Sequence, residues 1–314
     1  MKVAVVGAGF AGLALSFYLL EKGIEVDLFD AEGIGGGASG AAVGLLHPYA
    51  GEQVRRSYEA TAALEEAKKL LSISQEYSLA SVADYSGILR KADALQSQTF
   101  FQHRDSYKDV EFIEEGLFLL KSGIVVHSQN YLEGLFSALQ AKGLQLKLQK
   151  IESAQELQGY DTFFLAIGAG ALSFPGLESL SLQGIKGQAL ICKWPKTLDR
   201  LSKSIMGKGY IVPMEEGVVQ IGSTYERGSI DSHVDIEKAL SELAPKMRVL
   251  IPAWDKIDVI KGKAGVRITR REHYFPLLKQ VSSSGWILTG LGSRGLLYHA
   301  YAAKKLVKMA LGET

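Results

Sequence analysis

The stretch Val3-Ala-Val-Val6-Gly7-Ala-Gly9-Phe-Ala-Gly12 joins four apolar residues to glycines at the GxGxxG spacing. The apolar run predicts a buried strand, and the glycines predict a strand-to-helix turn that holds a dinucleotide. Gly7 allows the tight turn, Gly9 lets the backbone approach a pyrophosphate, and Gly12 lets the helix pack on the strand. Since a helix N-terminus attracts phosphate anions, the stretch predicts a site for an ADP-containing cofactor.

The residues that follow complete a βαβ unit. A helical run covers Phe10 to Glu21, Gly23 ends it, and Glu25 to Phe29 reads as a second strand. Asp30 lies 23 positions beyond Gly7, at about the offset of the acid that accepts hydrogen bonds from the adenosine ribose. The alternative is a glycine-rich turn in an ordinary βαβ unit.

The composition is that of a globular protein with balanced charge. The 314 residues are 47% hydrophobic, enough to fill one large core or two interleaved ones. Lys and Arg number 35 and Asp and Glu 34, so no global field draws the chain to nucleic acid or to an anionic membrane. The charge totals leave open a local basic patch on the surface.

Several classes of site are excluded by the sequence. A single cysteine, Cys192, allows neither a disulfide framework nor a CxxC redox pair. Metal-ligand spacing, a GxSxG elbow and a Walker loop are absent, so we expect no metal and neither hydrolase nor phosphotransferase chemistry. The N-terminal apolar run enters the glycine turn without a cleavage site, and no uncharged stretch is long enough to span a bilayer. We expect a cytoplasmic protein without membrane contact.

Two kinds of segment alternate along the chain. The glycine-rich loop at 33–40 is more typical of a segment that wraps around a ligand than of a flexible linker. Residues 52–72 are predicted to form a long helix. Short alternating runs at 81–126 and 184–259 indicate a second, antiparallel sheet. The apolar strand and helix patterns at 131–170 and 286–311 indicate that the chain returns there to the layer that begins with the βαβ unit. The predicted domains are therefore discontinuous: 1–50, 127–183 and 260–314 bind the cofactor, and 51–126 and 184–259 bind the substrate.

Together these motifs resemble the D-amino-acid oxidase superfamily of FAD enzymes, over essentially the whole chain. Besides the glycine fingerprint and Asp30, the markers in chain order are Gly37-Ala-Ser-Gly40 with Ala41-Ala-Val-Gly-Leu45, Ala166-Ile-Gly168, Lys186-Gly-Gln188, Tyr210-Ile-Val-Pro213, Gly265-Val-Arg267 and the turn from Gly290 to Leu296.

Within the superfamily the chain is similar to the oxidase module of the bifunctional tRNA 5-methylaminomethyl-2-thiouridine biosynthesis family. The strings that carry this likeness are Gly37-Ala-Ser-Gly40, Tyr225-Glu-Arg-Gly-Ser229, Gly265-Val-Arg267 with Arg271 before Pro276, and Gly292-Ser-Arg-Gly-Leu296. That family carries a methyltransferase module ahead of the oxidase, whereas this sequence starts at the FAD strand. We therefore expect no methyl transfer from it.

The resemblance implies an α/β fold in which a Rossmann-like FAD-binding domain is interleaved with an antiparallel-sheet substrate domain, as in D-amino-acid oxidase. It also implies non-covalent FAD. The implied cofactor-binding residues are Gly7, Gly9, Phe10, Ala11, Gly12, Asp30, Ala38, Ser39, Gly40, Gly44, Leu45, Leu46, Ala166, Gly168, Gly292, Ser293, Arg294, Gly295 and Leu296.

Three residues are candidates for catalysis. Arg267 matches the arginine that clamps the substrate carboxylate, a task that suits a planar, permanently charged fork. Tyr210 matches the tyrosine that joins it there, and Arg294 could stabilise negative charge on the reduced flavin. The alternatives are a salt bridge at the sheet rim for Arg267, core packing for Tyr210 and a solvated helix start for Arg294.

Other residues receive weaker assignments. Tyr225 and Arg227 could shape the substrate side of the pocket, although a polar β-turn would look the same. His47 could approach the flavin or be structural, and Cys192 reads as a small buried hydrophobe. The basic pairs Arg55-Arg56, Lys68-Lys69 and Arg270-Arg271 could form an RNA-facing patch or be scattered surface charge.

The resemblance implies an FAD-dependent oxidation of a carboxylate-bearing secondary amine. Its implied substrate is carboxymethylaminomethyl-uridine in tRNA, which would release the carboxymethyl arm as glyoxylate. One alternative keeps the chemistry and takes a free small amine such as glycine, sarcosine or a D-amino acid. Another is a flavin-binding regulatory protein with little turnover.

Overall fold

The computed structural model describes residues 1–41, 43–51, 53–228, 230–270 and 275–313. Three positions named in the sequence motifs, Ala42, Ser229 and Arg271, lie outside these ranges. The helices are α1 (Phe10–Leu20), α2 (Ala38–Ala41), α3 (Ala60–Glu76), α4 (Ala94–Gln102), α5 (Ser128–Gln140), α6 (Ile236–Leu250) and α7 (Gly295–Ala310).

The strands are β1 (Lys2–Val6), β2 (Glu25–Asp30), β3 (Gly44–Leu46), β4 (Tyr49–Ala50), β5 (Arg55–Arg56), β6 (Ala83–Asp84), β7 (Ile88–Lys91), β8 (Val110–Glu114), β9 (Leu117–Leu120), β10 (Ile124–Val126), β11 (Gln145–Leu148), β12 (Thr162–Leu165), β13 (Leu182–Lys193), β14 (Ser204–Met206), β15 (Tyr210–Pro213), β16 (Val218–Gly222), β17 (Glu226–Arg227), β18 (Asp258–Arg270), β19 (Leu277–Gln280) and β20 (Gly285–Thr289).

The first layer is a sheet with the order β11-β2-β1-β12-β20-β19 across the described residues. Its strands are parallel except β19, which runs antiparallel to β20. Both faces of β1 are buried: Val3 and Val5 pack with α1, α3, α5 and α7, and Ala4 and Val6 pack on the opposite side. The Rossmann-like layer that the glycine motif predicted is therefore confirmed.

The second layer is a larger sheet with the order β17-β13-β16-β15-β14-β7-β9-β8 in the described part of the chain, and β18 pairs with β13. β13 and β18 are long antiparallel partners, with Leu182 opposite Arg270 at one end and Lys193 opposite Asp258 at the other. Helix α6 and Trp254 cover one face of this sheet. The interleaved α/β fold is confirmed, with one difference: β14 and β7 pair in parallel, because they come from separate passages of the chain rather than from one hairpin.

The long helix expected at 52–72 begins and ends later than predicted, since α3 covers Ala60–Glu76. Arg55 and Arg56 instead pair with β4. Glu59 then takes a left-handed conformation, with φ 50°, and the helix starts after it. The start of α3 therefore depends on strand pairing between β4 and β5, which the local pattern of charges and leucines does not predict.

Two elements lie on the other side of the expected domain boundaries. Helix α3 buries Leu64, Leu70 and Leu71 in the cluster formed with α1, α5 and α7, so it packs with the first layer although it follows residue 50. Strand β18 extends to Arg270 within the second sheet, ten residues past the expected boundary at 260. We therefore propose that α3 belongs to the cofactor-binding domain and β18 to the substrate domain.

Candidate active site

A cavity of about 990 Å³ is lined by residues of both layers. The first layer contributes the start of α1, the segment around α2 and β3, and the turn before α7. The second sheet contributes residues of β13, β15 and β18. The cavity therefore joins the glycine turn to the strands that carry the predicted substrate residues.

The glycine turn leaves no room for side chains at Gly7 and Gly12. Gly7 has φ +106°, and a Cβ there would lie 2.3 Å from the carbonyl oxygen of Ala166. A Cβ on Gly12 would lie 1.6 Å from the carbonyl oxygen of Gly7. Neither glycine lines the cavity, so both act by letting β1, α1 and the end of β12 approach each other.

Gly9 and Ser39 form the wall of the cavity at the start of α1. A Cβ on Gly9 would lie 2.7 Å from the Ser39 hydroxyl. That hydroxyl accepts a hydrogen bond of 3.2 Å from the Phe10 N–H. The glycine-rich loop at 33–40 is thus tied to the first turn of α1, at the helix end that attracts phosphate.

Asp30 fixes the other side of the glycine turn. One carboxylate oxygen accepts a 2.7 Å hydrogen bond from the Ala8 N–H. The other accepts from the N–H groups of Glu32 and Gly33, at 2.8 and 2.9 Å. Asp30 is not among the residues lining the cavity, although its Oδ2 keeps one lone pair for a further hydrogen bond. Its predicted contact with the ribose stays a prediction.

Some of the other predicted cofactor residues line the cavity, and others lie outside its lining. Leu46 is 1% exposed and packs in the core, and Gly40 also lies outside the cavity lining. Gly44 lines the cavity and lets Leu296 pack against it, because a Cβ there would lie 1.7 Å from Leu296 Cδ1. The predicted cofactor residues that line the cavity are Gly9, Phe10, Ala11, Ala38, Ser39, Gly44, Leu45, Ala166, Gly168, Gly292, Ser293, Arg294, Gly295 and Leu296.

Arg267 lies in the cavity wall on β18. Its Nη2 donates a 3.2 Å hydrogen bond to the carbonyl oxygen of Thr224. Its guanidinium lies 5.7 Å from the ring centre of Tyr225 and passes close over Gly187. Burial lowers the pKa of Arg267, and among the described residues no carboxylate forms an ion pair with it. The predicted rim salt bridge is therefore not formed there, and the charge is available to an anion in the cavity.

Tyr210 lies on β15 and lines the same cavity. Its hydroxyl accepts a 3.3 Å hydrogen bond from Gln220 Nε2. It also lies over Gly222, where a Cβ would be 2.5 Å from the phenol oxygen. Burial raises the pKa of Tyr210, an effect that the charge of Arg267 partly offsets, so the phenol stays protonated. The two predicted clamp residues are thus brought together in one electrostatic environment.

Arg294 and His47 lie in the part of the cavity next to α7. Arg294 ends a short 3₁₀ turn, Gly292–Arg294, directly before that helix. Burial lowers the pKa of His47 to about 3, with smaller contributions from Arg90 and Arg294. His47 Nδ1 is buried and has no hydrogen-bond partner in the described residues. The imidazole is therefore neutral throughout the physiological range.

Arg90 is a cavity residue that the sequence reasoning missed. It lies on β7 and is only 5% exposed. Strand alternation places Arg90 on the same face as Ile88, and both are buried, whereas Leu89 and Lys91 are less buried. An arginine at a buried position of a strand is unusual enough to mark a functional candidate.

The outer side of Arg267 carries further cations. Tyr225 is 50% exposed, and the guanidinium of Arg227 lies 5.6 Å from its ring centre, so the ring contacts both Arg227 and Arg267. A smaller pocket of about 170 Å³ is lined by these residues together with Arg270 and Arg294. This cationic mouth, defined by Tyr225, Arg227 and Arg270, suits an aromatic or anionic group.

Other candidates stay outside the site. Cys192 is fully buried, and burial raises the pKa of its thiol to about 12, so it is an inert hydrophobe. The described residues contain no group of three or more His, Cys, Asp or Glu side chains placed to hold a metal ion. Nor does any helix in the described ranges combine the length and the apolar character needed to cross a bilayer.

The profile of the family described as FAD dependent oxidoreductase (DAO) matches residues 2–309. The tRNA 5-methylaminomethyl-2-thiouridine biosynthesis bifunctional protein of Leptospira interrogans is 22% identical over 372 residues, covering 99% of this chain and 57% of that protein. The chain therefore spans little more than half the length of this relative.

Two solved structures share the fold. Glycine oxidase from Geobacillus kaustophilus has a TM-score of 0.83 at 18% identity, covering all of this chain and 95% of that one. Iminodiacetate oxidase from Chelativorans has a TM-score of 0.79 at 17% identity, covering 99% and 96%.

Proposed function

The chain belongs to the DAO family of FAD-dependent oxidoreductases, and on this basis we propose that it oxidises an amine that carries a carboxylate. The observation that carries the proposal is Arg267, a cation in the cavity wall without an ion-pair partner among the described residues. Tyr210 and Arg267 supply a phenol and a guanidinium on one wall, the donor set that binds a carboxylate.

The residues on the first-layer side fit FAD. Gly9 leaves the start of α1 open to a pyrophosphate, and Ser39 holds the loop beside it. Leu45, Gly292 and Arg294 line the same cavity and would contact the isoalloxazine ring. Bound FAD supplies a hydride acceptor, which is the chemistry that amino-acid side chains lack.

The protein groups determine how the amine is bound. With its carboxylate on Arg267 and Tyr210, the amine is held in one orientation, and the cations around the cavity disfavour its protonated form. The neutral nitrogen lone pair then assists loss of a hydride from the adjacent C–H, and loss of the N–H proton leaves an imine. Water hydrolyses the imine to an amine and a carbonyl compound.

We propose carboxymethylaminomethyl-uridine in tRNA as one substrate, which would release glyoxylate. Support comes from the curated relative, whose name places it in the biosynthesis of 5-methylaminomethyl-2-thiouridine in tRNA and whose alignment covers 99% of this chain. The cationic mouth adds support, because Tyr225 offers a half-exposed ring for stacking and Arg227 a cation for phosphate.

A free small amine such as sarcosine or glycine is the second candidate. The observation that favours it is the fold shared with glycine oxidase from Geobacillus kaustophilus, whose name gives a free amino acid as its substrate. Both candidates share the carboxylate clamp and differ only in what lies beyond the amine nitrogen.

Anaerobic mixing of the FAD-loaded protein with each substrate tests the proposal. We expect an amine carboxylate to bleach the flavin band. We also expect glyoxylate to be released when tRNA that carries the carboxymethyl group is added, but not when unmodified tRNA is added. Arg267→Gln should slow flavin reduction at least about 100-fold. The matched control Arg104→Gln, at an exposed position, should leave it unchanged. If neither tRNA nor any amine carboxylate reduces the flavin, the proposal is wrong.

A further inference from the structure

We propose that Arg90 is a specificity-determining residue that binds a second anionic group of the substrate, so that the preferred amine is a small dianion. This inference rests on the proposed function, in which Arg267 holds the first carboxylate. It adds a second anion-binding position in the same cavity and the chemical class of ligand that this position selects.

The first observation is the burial of an unpaired charge. Arg90 is 5% exposed, and its Nε is buried without a hydrogen-bond partner in the described residues. Within those residues the guanidinium forms no ion pair with a carboxylate. A buried N–H of a charged group without a partner is costly, and such a group calls for an explanation such as a bound ligand or ion.

The second observation is the composition of the wall around it. Asp93 is the acidic residue that lines the cavity within the described ranges. Its carboxylate accepts a hydrogen bond from the Gln96 N–H and caps α4. Its charge raises the pKa of Arg90, but burial lowers that pKa by more. The other charged residues in the described lining are cations: Arg90, Lys208, Lys246, Lys263, Arg267 and Arg294.

The third observation is that Arg90 and Arg267 come from different parts of the second sheet. Arg90 lies on β7, where Phe118 and Met206 are its neighbours across the ladder, and Arg267 lies on β18 beside β13. In the sheet order, β16, β15 and β14 lie between β13 and β7. Because both side chains line the same cavity, each would hold one end of an amine with an acid at both ends, as in iminodiacetate.

Binding of non-oxidisable thioether analogues tests the proposal without relying on turnover. In thiodiacetate a sulfur replaces the amine of iminodiacetate, and (methylthio)acetate lacks its second carboxylate. By calorimetric titration of the FAD-loaded protein, we expect thiodiacetate to bind at least about 30-fold more tightly. Equal affinities for the two ligands would overturn the proposal without any variant being made.

Two variants assign this preference to the residue. Arg90→Gln should weaken thiodiacetate binding about 100-fold and leave (methylthio)acetate binding within about 2-fold, while Arg90→Lys should keep part of the preference. The exposed-site control Arg104→Gln should change neither affinity. A preference that survives in a folded Arg90→Gln protein, judged by its thermal melt, would assign the second carboxylate to another cation.

The kinetics separate this proposal from the proposed function. Arg90→Gln should raise the KM for iminodiacetate much more than the KM for sarcosine, whereas Arg267→Gln should impair both substrates equally. If Arg267→Gln impairs neither, the carboxylate clamp is wrong, and the thioether titrations still decide the role of Arg90. If modified tRNA is oxidised and iminodiacetate is not, the second anion site is wrong and the proposed function stands.

Discussion

The guanidinium of Arg267 lies over Gly187 on the neighbouring strand, so that a Cβ at residue 187 would be 2.3 Å from Nη2. The two residues are diagonal neighbours, because Arg267 pairs with Ile185 and Gly187 with Gly265. The missing side chain at 187 thus sets the height of the guanidinium above the sheet. The position of the clamp is a property of two strands rather than of one arginine.

Gly187→Ala should move this guanidinium and weaken carboxylate binding. The clash is with the end of a flexible side chain, so we expect stability to change by less than about 1 kcal/mol. The dissociation constant for (methylthio)acetate should rise at least about 10-fold, because a displaced fork loses its bidentate geometry. Calorimetric titration measures it, with Gly159→Ala as control, since a Cβ there meets nothing within 4 Å. Unchanged affinity would show that residue 187 does not position Arg267.

Gly12→Ala should prevent α1 from docking on β1. Its Cβ would be 1.6 Å from the backbone oxygen of Gly7, and backbone cannot move aside as a side chain can. We expect a loss of more than about 3 kcal/mol in the free energy of unfolding and little retained flavin. Thermal melts and the ratio of flavin to protein absorbance measure both quantities. A yellow protein with normal stability would contradict the proposed role of this glycine.

Tyr210→Phe tests the phenol of the clamp. The variant removes one donor to the carboxylate, so KM for the amine should rise about 5- to 10-fold while the limiting rate of flavin reduction changes less. Because burial raises the pKa of this phenol, its effect should not vary between pH 6 and pH 9. A fall in the limiting rate at unchanged KM would instead place Tyr210 in the chemical step.

His299 should make the protein less stable in mild acid. It is 1% exposed, contacts the Tyr131 hydroxyl at 2.7 Å, and burial lowers its pKa from 6.5 to about 4. Below pH 6.5 His299 is protonated in the unfolded chain, whereas in the folded protein it stays neutral until the pH approaches 4. The free energy of unfolding therefore falls as the pH drops to 4, by up to about 3 kcal/mol from this residue.

Urea unfolding between pH 4 and pH 8 measures this dependence. His299→Gln should be less stable at pH 8, because it loses the contact with Tyr131, and should show a shallower loss of stability below pH 6.5. His103→Gln, at an exposed position, should keep the full slope of the native protein. Equal slopes in all three proteins would show that His299 does not carry the effect.

The first layer of the fold could be predicted from local sequence, because each of its signals is short. Gly7, Gly12 and Asp30 are needed by one turn, and the apolar runs around them are buried on both faces. The start of α3 was predicted wrongly because it depends on the pairing of Arg55 and Arg56 with a strand and on the backbone of Glu59.

The cavity could be predicted only in part. Arg267 and Tyr210 were recognised through their family motifs, since nothing in their spacing tells that two distant strands meet at one wall. Arg90 carried no motif, and an arginine on a strand is ordinarily read as solvent-exposed. Its burial depends on β9 and β14, which reach it from other parts of the chain.

The packing of α1 against α7 has a consequence for how the chain is made. α1 starts at residue 10 and α7 at residue 295, and both bury side chains in the same cluster. At ordinary rates of translation, roughly 15 to 60 s separate the synthesis of the two helices. During that interval the apolar face of α1 lacks its final neighbour, so we expect a nascent chain of this protein to be exposed to aggregation until α7 leaves the ribosome.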